Sequence, residues 1–338
     1  FDQIRGFGEY GFPESHAASF ALIAYATAWV KRHYPAEFAC GLLNALPMGF
    51  YLPGTIVEDA RRHGVTVRPI DVLRSSWECT LEEVDAAAPL PATVSDYARR
   101  PLAVRMGLRY VKGLAVREAD ALLTTRDERS FTSVPDLARR TGLPHDALRH
   151  LAEAGALAPL VGDRRQALWQ VHALARRRRS EQLELPLADP SPAPALAPLT
   201  EHETITWDWE RTEHSPRGHL LEPVRADLRA LGLPTAAEVA DLADGARAHY
   251  AGVVICRQRP ATAKDVTFMT LEDETGFVNL VLWARVYEEY RLLAKTRSFL
   301  GVTGRIQSED SVVHLVVESL WEPRLPRSPL AVGSRDFH

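Results

Sequence analysis

One stretch near the middle of the chain dictates what the rest can fold into. Four consecutive arginines, Arg176-Arg177-Arg178-Arg179, end a helical pattern, and Asp189-Pro190-Ser191-Pro192-Ala193-Pro194 follows shortly after. Alternate prolines lack an N–H and lock φ, so neither a helix interior nor a strand ladder can pass through them. Residues 181–200 therefore read as a flexible linker, and the chain must fold as separate units on either side. Its 338 residues suffice for two or three domains, each with its own core. Between Arg99 and Ser180 there are 17 Lys/Arg against 8 Asp/Glu, although the whole chain carries a net charge of −4. A basic middle in an acidic chain is an electrostatic footprint for nucleic acid. Only four of the cations are lysine (31, 112, 264 and 295), so arginine identity by itself says little.

Several classes drop out. No run of about 18 apolar residues lacks charge, so no membrane span is expected. The chain starts at Phe1 with no basic region, apolar core or cleavage site, so no signal peptide is read and a fragment of a longer protein is expected. Cys40, Cys79 and Cys256 are far apart with no paired spacing, which argues against a zinc site or disulfide scaffold and fits a reducing cytoplasm.

In chain order, residues 1–98 read as a helical block with a small β insertion. Helices are expected over Ser15–Tyr34, Pro35–Leu46 and Pro53–His63, the last stopped by Gly64. Ala17, Ala21, Ala24 and Ala28 line one narrow face of the first helix. Short strands are expected at Val65–Arg68, Trp77–Leu81 and Leu102–Arg105, with the Ala/Pro stretch Asp85–Thr93 a loop.

Residues 99–180 carry two helix–turn–helix units. The first turn is Val111-Lys112-Gly113-Leu114 before a helix at Val116–Thr124. The second joins Val134–Arg140 to His145–Ala154 through Thr141-Gly142-Leu143-Pro144. Helix–hairpin–helix units of this kind hold DNA backbone without reading sequence. Glycine lets the turn approach closely, and the free N–H groups of the next helix face a phosphate. Arg109, Lys112, Gly113, Leu114, Arg139, Arg140 and Gly142 are the candidate DNA contacts. Ala115 stands where a second hairpin glycine is common.

Residues 201–246 read as a helical connector, with Trp207 and Trp209 available for packing. Residues 247–323 alternate with period two over Ala248–Arg257, Val266–Glu272, Phe277–Trp283, Ser298–Ile306 and Val312–Leu320, with a helix near Arg285–Leu293. Five strands with a helix in that place give an OB-fold β-barrel, whose second and third strands often bind single strands. Val278, Leu280 and Leu282 point to the core. Arg257, Arg259, Lys264, Phe268, Phe277 and Asn279 form a candidate single-strand surface, the alternative being that the aromatics pack against neighbouring domains. Glu272-Asp273-Glu274 precedes Thr275-Gly276 and reads as a turn, not a metal site. Residues 324–338 are a polar tail.

At the N-terminus, Tyr10-Gly11-Phe12 precedes Ser15-His16-Ala17-Ala18. Ser15 is a suitable N-cap, and His16 at a helix start faces the positive dipole end that favours an anion. A capped helix with a surface histidine is the plainer reading. Together with Tyr25, Trp29, Lys31 and His33-Tyr34-Pro35-Ala36-Glu37-Phe38, this segment resembles the late fingers region of C-family bacterial DNA polymerases, the DNA polymerase III alpha-subunit type. Pro13-Glu14 stands where replicative members carry Asn-Lys, and with Leu46-Pro47-Met48-Gly49-Phe50-Tyr51 it points to the error-prone, damage-induced branch. Ser334-Arg335-Asp336-Phe337-His338 is similar to endings of that branch, and Gly218-His219-Leu220 echoes a family turn.

The resemblance implies a multidomain α + β chain of late fingers, tandem helix–hairpin–helix and OB-fold. It implies that Tyr10, Phe12, Ser15 and His16 line the incoming deoxynucleoside triphosphate. It also implies that Gln182, Leu183, Leu185 and Leu187 are a sliding-clamp peptide. Further implied partners are primer–template DNA and mutasome proteins, namely an adaptor like a Y-family polymerase and a recombinase-like protein. The family's metal-binding carboxylates lie in a palm domain with no counterpart here, so the chain carries no catalytic residues, metal ligands or cofactor of its own. Magnesium is expected for the parent enzyme, a nucleotidyltransferase for translesion synthesis. The chain alone is expected to be inactive. The alternative function is a non-catalytic repair scaffold that holds DNA with the hairpins and barrel.

Overall fold

Prolines at the first position start two of the N-terminal helices, where their missing N–H costs nothing. The computed structural model describes residues 14–49, 51–84, 102–179, 196–260, 266–309, 312–326, 329 and 335–337. Tyr10, Phe12, Gln182, Leu183, Leu185, Leu187 and Lys264 lie outside them. Helix α1 (Glu14–His33) is followed by α2 (Pro35–Ala45) and α3 (Pro53–Arg62). Gly64 ends α3 at φ 80°, and its N–H donates to Arg61 O. The helix α1 starts one residue ahead of Ser15, so Ser15 lies in the first turn and is not the expected cap. The alanine face of α1 is exposed at Ala21, Ala24 and Ala28.

Strands β1 (Val67–Arg68), β2 (Thr80–Glu83) and β3 (Leu102–Arg105) form a small sheet in the order β1-β3-β2. Glu82 ties its face together, accepting from Arg105 Nε at 2.8 Å and from Arg68. Those two guanidinium groups, Arg105 first, hold the Glu82 carboxyl down to about 2. Asn44 pins the sheet to α2, donating to Cys79 O at 2.9 Å and accepting from Cys79 N at 2.8 Å.

Helices α4 (Val116–Glu128), α5 (Val134–Thr141), α6 (His145–Glu153), α7 (Ala158–Val161) and α8 (Arg164–Arg179) follow. One hydrophobic core runs unbroken from Ala36 to Val171. Val104, Met106, Leu108 and Val111 bridge it, all essentially fully buried. The N-terminal helical block and the hairpin region therefore share a core across the expected junction at 98/99.

The connector begins at α9 (Glu201–Thr212), where Thr200 and Glu203 form a reciprocal capping box. It continues through α10 (Arg225–Ala230) and α11 (Ala236–Ala240). The barrel contains β4 (Arg247–Gln258), β5 (Thr267–Asp273), β6 (Gly276–Leu282), β7 (Phe299–Glu309) and β8 (Val312–Trp321). The strands run β5-β6-β8-β7-β4, and a β4–β5 ladder closes the circuit. Met269, Leu271, Val278, Leu280, Leu282 and Leu315 fill it, in agreement with the period-two reading. The single helix expected between β6 and β7 is two short ones, α12 (Ala284–Glu289) and α13 (Arg291–Thr296), broken at Tyr290. The tail is more than a polar terminus. β9 (Arg335–Phe337) pairs parallel to β4 at Cys256–Gln258, an edge that β7 leaves uncovered beyond Val253.

Trp209 of α9 lies against Gly54 in the first turn of α3, so closely that an added Cβ would overlap the edge of its six-membered ring. Overpacking of this kind costs about 1–3 kcal/mol. Gly54→Ala is expected to lower the urea midpoint accordingly, and an unchanged midpoint would show that the connector does not depend on this contact.

Candidate nucleic-acid interface

Both expected hairpin turns form around left-handed glycines, Gly113 at φ 85° and Gly142 at φ 65°. A side chain at such φ is strained, which is why glycine stands at both. The hairpins are locked to each other, because the His150 ring of α6 fills the space where a Gly113 Cβ would sit. Leu114 and Leu143 are buried behind the turns, while Gly113 and Gly142 are exposed. In the first hairpin Glu118 closes the start of α4 by accepting from Ala115 N at 2.9 Å, so a carboxylate already occupies that N-terminus. In the second, Pro144 stands at the cap position before α6 and offers no side-chain cap. Ser133 caps α5 by accepting from Asp136 N. Burial alone would raise the Asp136 carboxyl. The N–H of Thr132 and the guanidinium groups of Arg140 and Arg129 outweigh it and hold the group below its ordinary range.

The candidate cations divide sharply. Arg139 is 75% exposed, although it touches Asp136 at 3.0 Å. Lys112 is half exposed and pairs with Glu213 of the connector at 3.2 Å. Arg140 is turned inward, donating to the carbonyls of Thr125 and Arg129 and lying 5.0 Å over the Phe131 ring. Arg109 donates to the carbonyls of Asn44 and Leu46 and to Glu78. Both were expected at phosphates. Both instead satisfy backbone acceptors, because the nearest unpaired carbonyls lie within the fold. Arg117, which was not singled out, is exposed on the first turn of α4.

On the barrel, Arg257 donates to the carbonyls of Ala294 and Arg297 and so fastens the end of α13. The Arg259 guanidinium lies 5.1 Å over the Tyr287 ring. Phe268 is 38% exposed, and Asn279 is exposed with its Oδ1 accepting from Thr270. Phe277 is 40% exposed, and one side of its ring meets the neighbouring unit. The Arg62 guanidinium of α3 sits 4.6 Å above its ring. A cavity of about 440 Å³ opens beside it, lined also by Phe38, Tyr51, Asp59 and His63. Arg62 also donates to Glu272, which is 1% exposed, at 2.9 Å. This junction escaped sequence reasoning, since nothing in the α3 pattern marks Arg62 as a partner for a residue 210 positions away.

The junction gathers more charge. Glu58 is buried and accepts from Arg61 Nη1 at 2.9 Å, and Arg61 approaches Glu222 at 3.6 Å. Burial pushes Glu58 up to about 7, with Arg61 opposing it. Burial pushes Glu272 up to about 8, opposed by Arg62 and reinforced by Glu58 and Asp273. His219, enclosed nearby, is pushed down to about 3 by burial and by Arg62, Arg225 and Arg61. Asp273 itself closes the β5–β6 turn, accepting from Thr275 and Gly276 and pairing with Arg225 at 3.0 Å.

At the N-terminal end, Ser15 and His16 are both exposed, and the His16 ring lies 4.4 Å from that of Phe20. Phe20, Leu22, Ile23, Tyr25 and Trp29 are exposed along the same helix. Among the described residues, no group of three or more His, Cys, Asp or Glu is arranged to hold a metal ion. No helix among them is long and apolar enough to cross a membrane.

The junction carries opposed pH dependences. Raised carboxyls keep their protons in the folded chain after the unfolded chain has lost them, so they reduce stability as pH rises. For Glu58 and Glu272 that window runs from about 4.5 to between 7 and 8. His219 acts oppositely, adding stability as pH rises from about 3 to 6.5. Above 6.5 only the carboxyls remain, so the thermal midpoint is expected to fall from pH 6.5 to 8 and Glu272→Gln to flatten that fall. A Glu272→Gln profile parallel to wild type would remove Glu272 as the cause.

Comparison with known proteins follows the same geography. The helix–hairpin–helix motif matches residues 64–167, and an OB-fold nucleic acid binding domain matches residues 251–323. An error-prone DNA polymerase of Aromatoleum aromaticum is 45% identical over 99% of this chain, which covers 30% of that protein. One from an Azoarcus species is 47% identical over 99% of this chain and 30% of its own length. Error-prone DNA polymerase 1 of Agrobacterium fabrum is 44% identical, again over 99% of this chain and 31% of its own. The chain thus spans about three-tenths of the length of these relatives. It is a homologue, along essentially its whole length, of the C-terminal helix–hairpin–helix and OB-fold part of C-family error-prone DNA polymerases.

Proposed function

We propose that this chain is the DNA-handling part of an error-prone DNA polymerase acting in translesion synthesis. It would hold primer–template duplex on the hairpins and guide the single strand over the barrel. The observation that carries this is the alignment of nearly every residue with such polymerases. The geometry adds the reason. Two left-handed glycine turns expose backbone beside Arg117, Arg139 and the uncapped start of α6, which suits a phosphate backbone read without regard to sequence. Nucleotidyl transfer itself needs carboxylates that hold magnesium against the attacking and leaving oxygens. In this reading that chemistry falls to parts of the relatives that this chain does not span. Within the parent protein, the exposed apolar side chains of α1 would pack against that remainder, since a face of this size is rarely left to solvent. In this reading Ser15 and His16, with Tyr10 and Phe12 just ahead of them in sequence, would line the incoming deoxynucleoside triphosphate.

The linker peptide Gln182-Leu183-Glu184-Leu185-Pro186-Leu187 would dock a sliding clamp, because a tethered segment with a few apolar anchors suits a preformed groove. A Y-family-like adaptor and a recombinase-like protein are further partners in this reading, within the cell interior.

Two experiments test it. With this chain, Arg139→Ala is expected to weaken duplex binding equally for all sequences. It should also shallow the log–log salt slope by about 0.9 for the lost phosphate contact. Clamp binding, measured alongside, should vanish on replacing Gln182 and Leu185 by alanine. Sequence-dependent loss, or a clamp affinity unmoved by the double change, would count against the respective assignment. In the full-length enzyme, His16→Ala is expected to raise the nucleotide KM and alter ribonucleotide discrimination. If neither moves, His16 does not belong to the nucleotide site.

A further inference from the structure

Strand β4 outruns the partner that covers one of its edges. β7 begins only at Phe299, opposite Val253, because the chain before it is taken up by α13. The last bond across this edge runs from Val254 N to Ser298 O at 2.7 Å. β4 continues to Gln258, paired on its other side with β5 as far as Phe268. Its register to β5 shifts between Val254 and Cys256, and a bulge of this kind turns the end of a strand out of line with its start. Cys256, Arg257 and Gln258 thus present a row of backbone N–H and C=O groups to whatever lies alongside. In this chain β9 lies there, parallel to β4, with Arg335 opposite Cys256, Asp336 opposite Arg257 and Phe337 opposite Gln258.

We propose that this edge is a strand-docking slot, where an extended, acidic-centred segment of a partner protein pairs parallel to β4 in exchange for residues 335–337. Proteins commonly hold peptides by adding a strand to a sheet edge, the backbone bonds giving affinity and the side chains specificity. The edge is fixed before any partner arrives. Arg257 donates from Nε to Ala294 O at 2.6 Å and from Nη2 to Arg297 O, which holds the end of α13 against this stretch of β4. The resident strand, by contrast, is only three residues long and runs parallel, the slightly weaker arrangement. The bonds of so short a ladder scarcely outweigh the entropy of ordering its residues. Such a segment opens far more often than the barrel beside it, so a partner segment with further contacts of its own can replace it.

The slot also indicates what it accepts. Arg257 and Arg259 put positive charge at this end of β4, and the register sets Asp336 opposite Arg257. An acidic residue at the centre of the incoming segment meets that charge, while a basic one there is repelled. The run is short, because Pro260 has no N–H to continue the ladder. Left empty, the same edge would invite a second copy of this chain, as uncovered strands do. Nucleic acid plays no part in the pairing, so the proposal stands apart from the DNA-handling reading above.

The probe is a fluorescein-labelled peptide with the sequence of residues 331–338, titrated onto the full chain and onto two variants of it. Only alternate N–H groups of a strand face one neighbour. Either Asp336→Pro or the double change Arg335→Pro with Phe337→Pro must therefore remove ladder bonds. That variant is expected to bind the peptide at least about 10-fold more tightly than the wild-type chain, whose own tethered segment competes at high effective concentration. Amide hydrogens of Cys256–Gln258 should exchange faster in it than in wild type and slow again when peptide is added. A peptide carrying Asp336→Lys should bind at least about 10-fold more weakly than the native one. Should the proline variants lose their thermal transition, Asp336→Lys in the full chain takes their place, since it leaves the backbone able to pair. Equal binding to every chain, no binding to any variant, or exchange at Cys256–Gln258 untouched by peptide would overturn the proposal. So would a variant that becomes dimeric and ignores the peptide, because the edge would then belong to a second copy.

Discussion

The arrangement of this molecule depends on a buried carboxylate, Asp208 in α9. Arg164 of α8 reaches it at 2.5 Å, Ser215 donates to its other oxygen at 2.9 Å, and Arg217 at 2.7 Å. Both Arg164 and Asp208 are almost fully enclosed. Such a pair adds little net stability, because desolvation consumes most of the Coulomb attraction, yet removing one partner typically costs about 3–5 kcal/mol. Its contribution is geometric. It ties the hairpin region, the connector helix and the turn leading to the barrel at one point. Burial pulls the Arg164 guanidinium down from its ordinary value, with Asp208 acting against that.

From this point the barrel's orientation follows. Trp209, one residue on, closes over Gly54 of α3, and the same helix sends Arg62 to Glu272 and Phe277. On the barrel face Arg62 therefore covers one side of Phe277, whose ring stays 40% exposed. What the barrel face presents beside Glu272 and Phe277 is decided by how a helix about two hundred residues earlier docks.

The same logic governs the arginines. The basic segment between Arg99 and Ser180 was legible as a charge excess, but net charge does not say which groups reach solvent. Arg140 and Arg109 answer buried carbonyls, Arg105 clamps Glu82, and Arg164 meets Asp208. Arg117 and Arg139 point outward. A guanidinium with five donors serves backbone acceptors and phosphates equally well, so sequence cannot tell the two uses apart. Ser15 shows a smaller version of the problem, since the helix begins at Glu14 and the residue best suited to cap it lies one place inside.

The local elements were determined by the sequence itself. Prolines at helix starts, glycines where φ is positive, and period-two alternation in the barrel each rest on interactions within a few residues, so each could be read in one dimension. Tertiary structure alone decided the continuous core from Ala36 to Val171, the inward fates of Arg105, Arg109, Arg140 and Arg164, the strand formed by Arg335–Phe337, and the contact of α3 with the barrel. Those depend on partners tens to hundreds of positions distant, and burial and charge pairing are settled only when the chain brings such partners together.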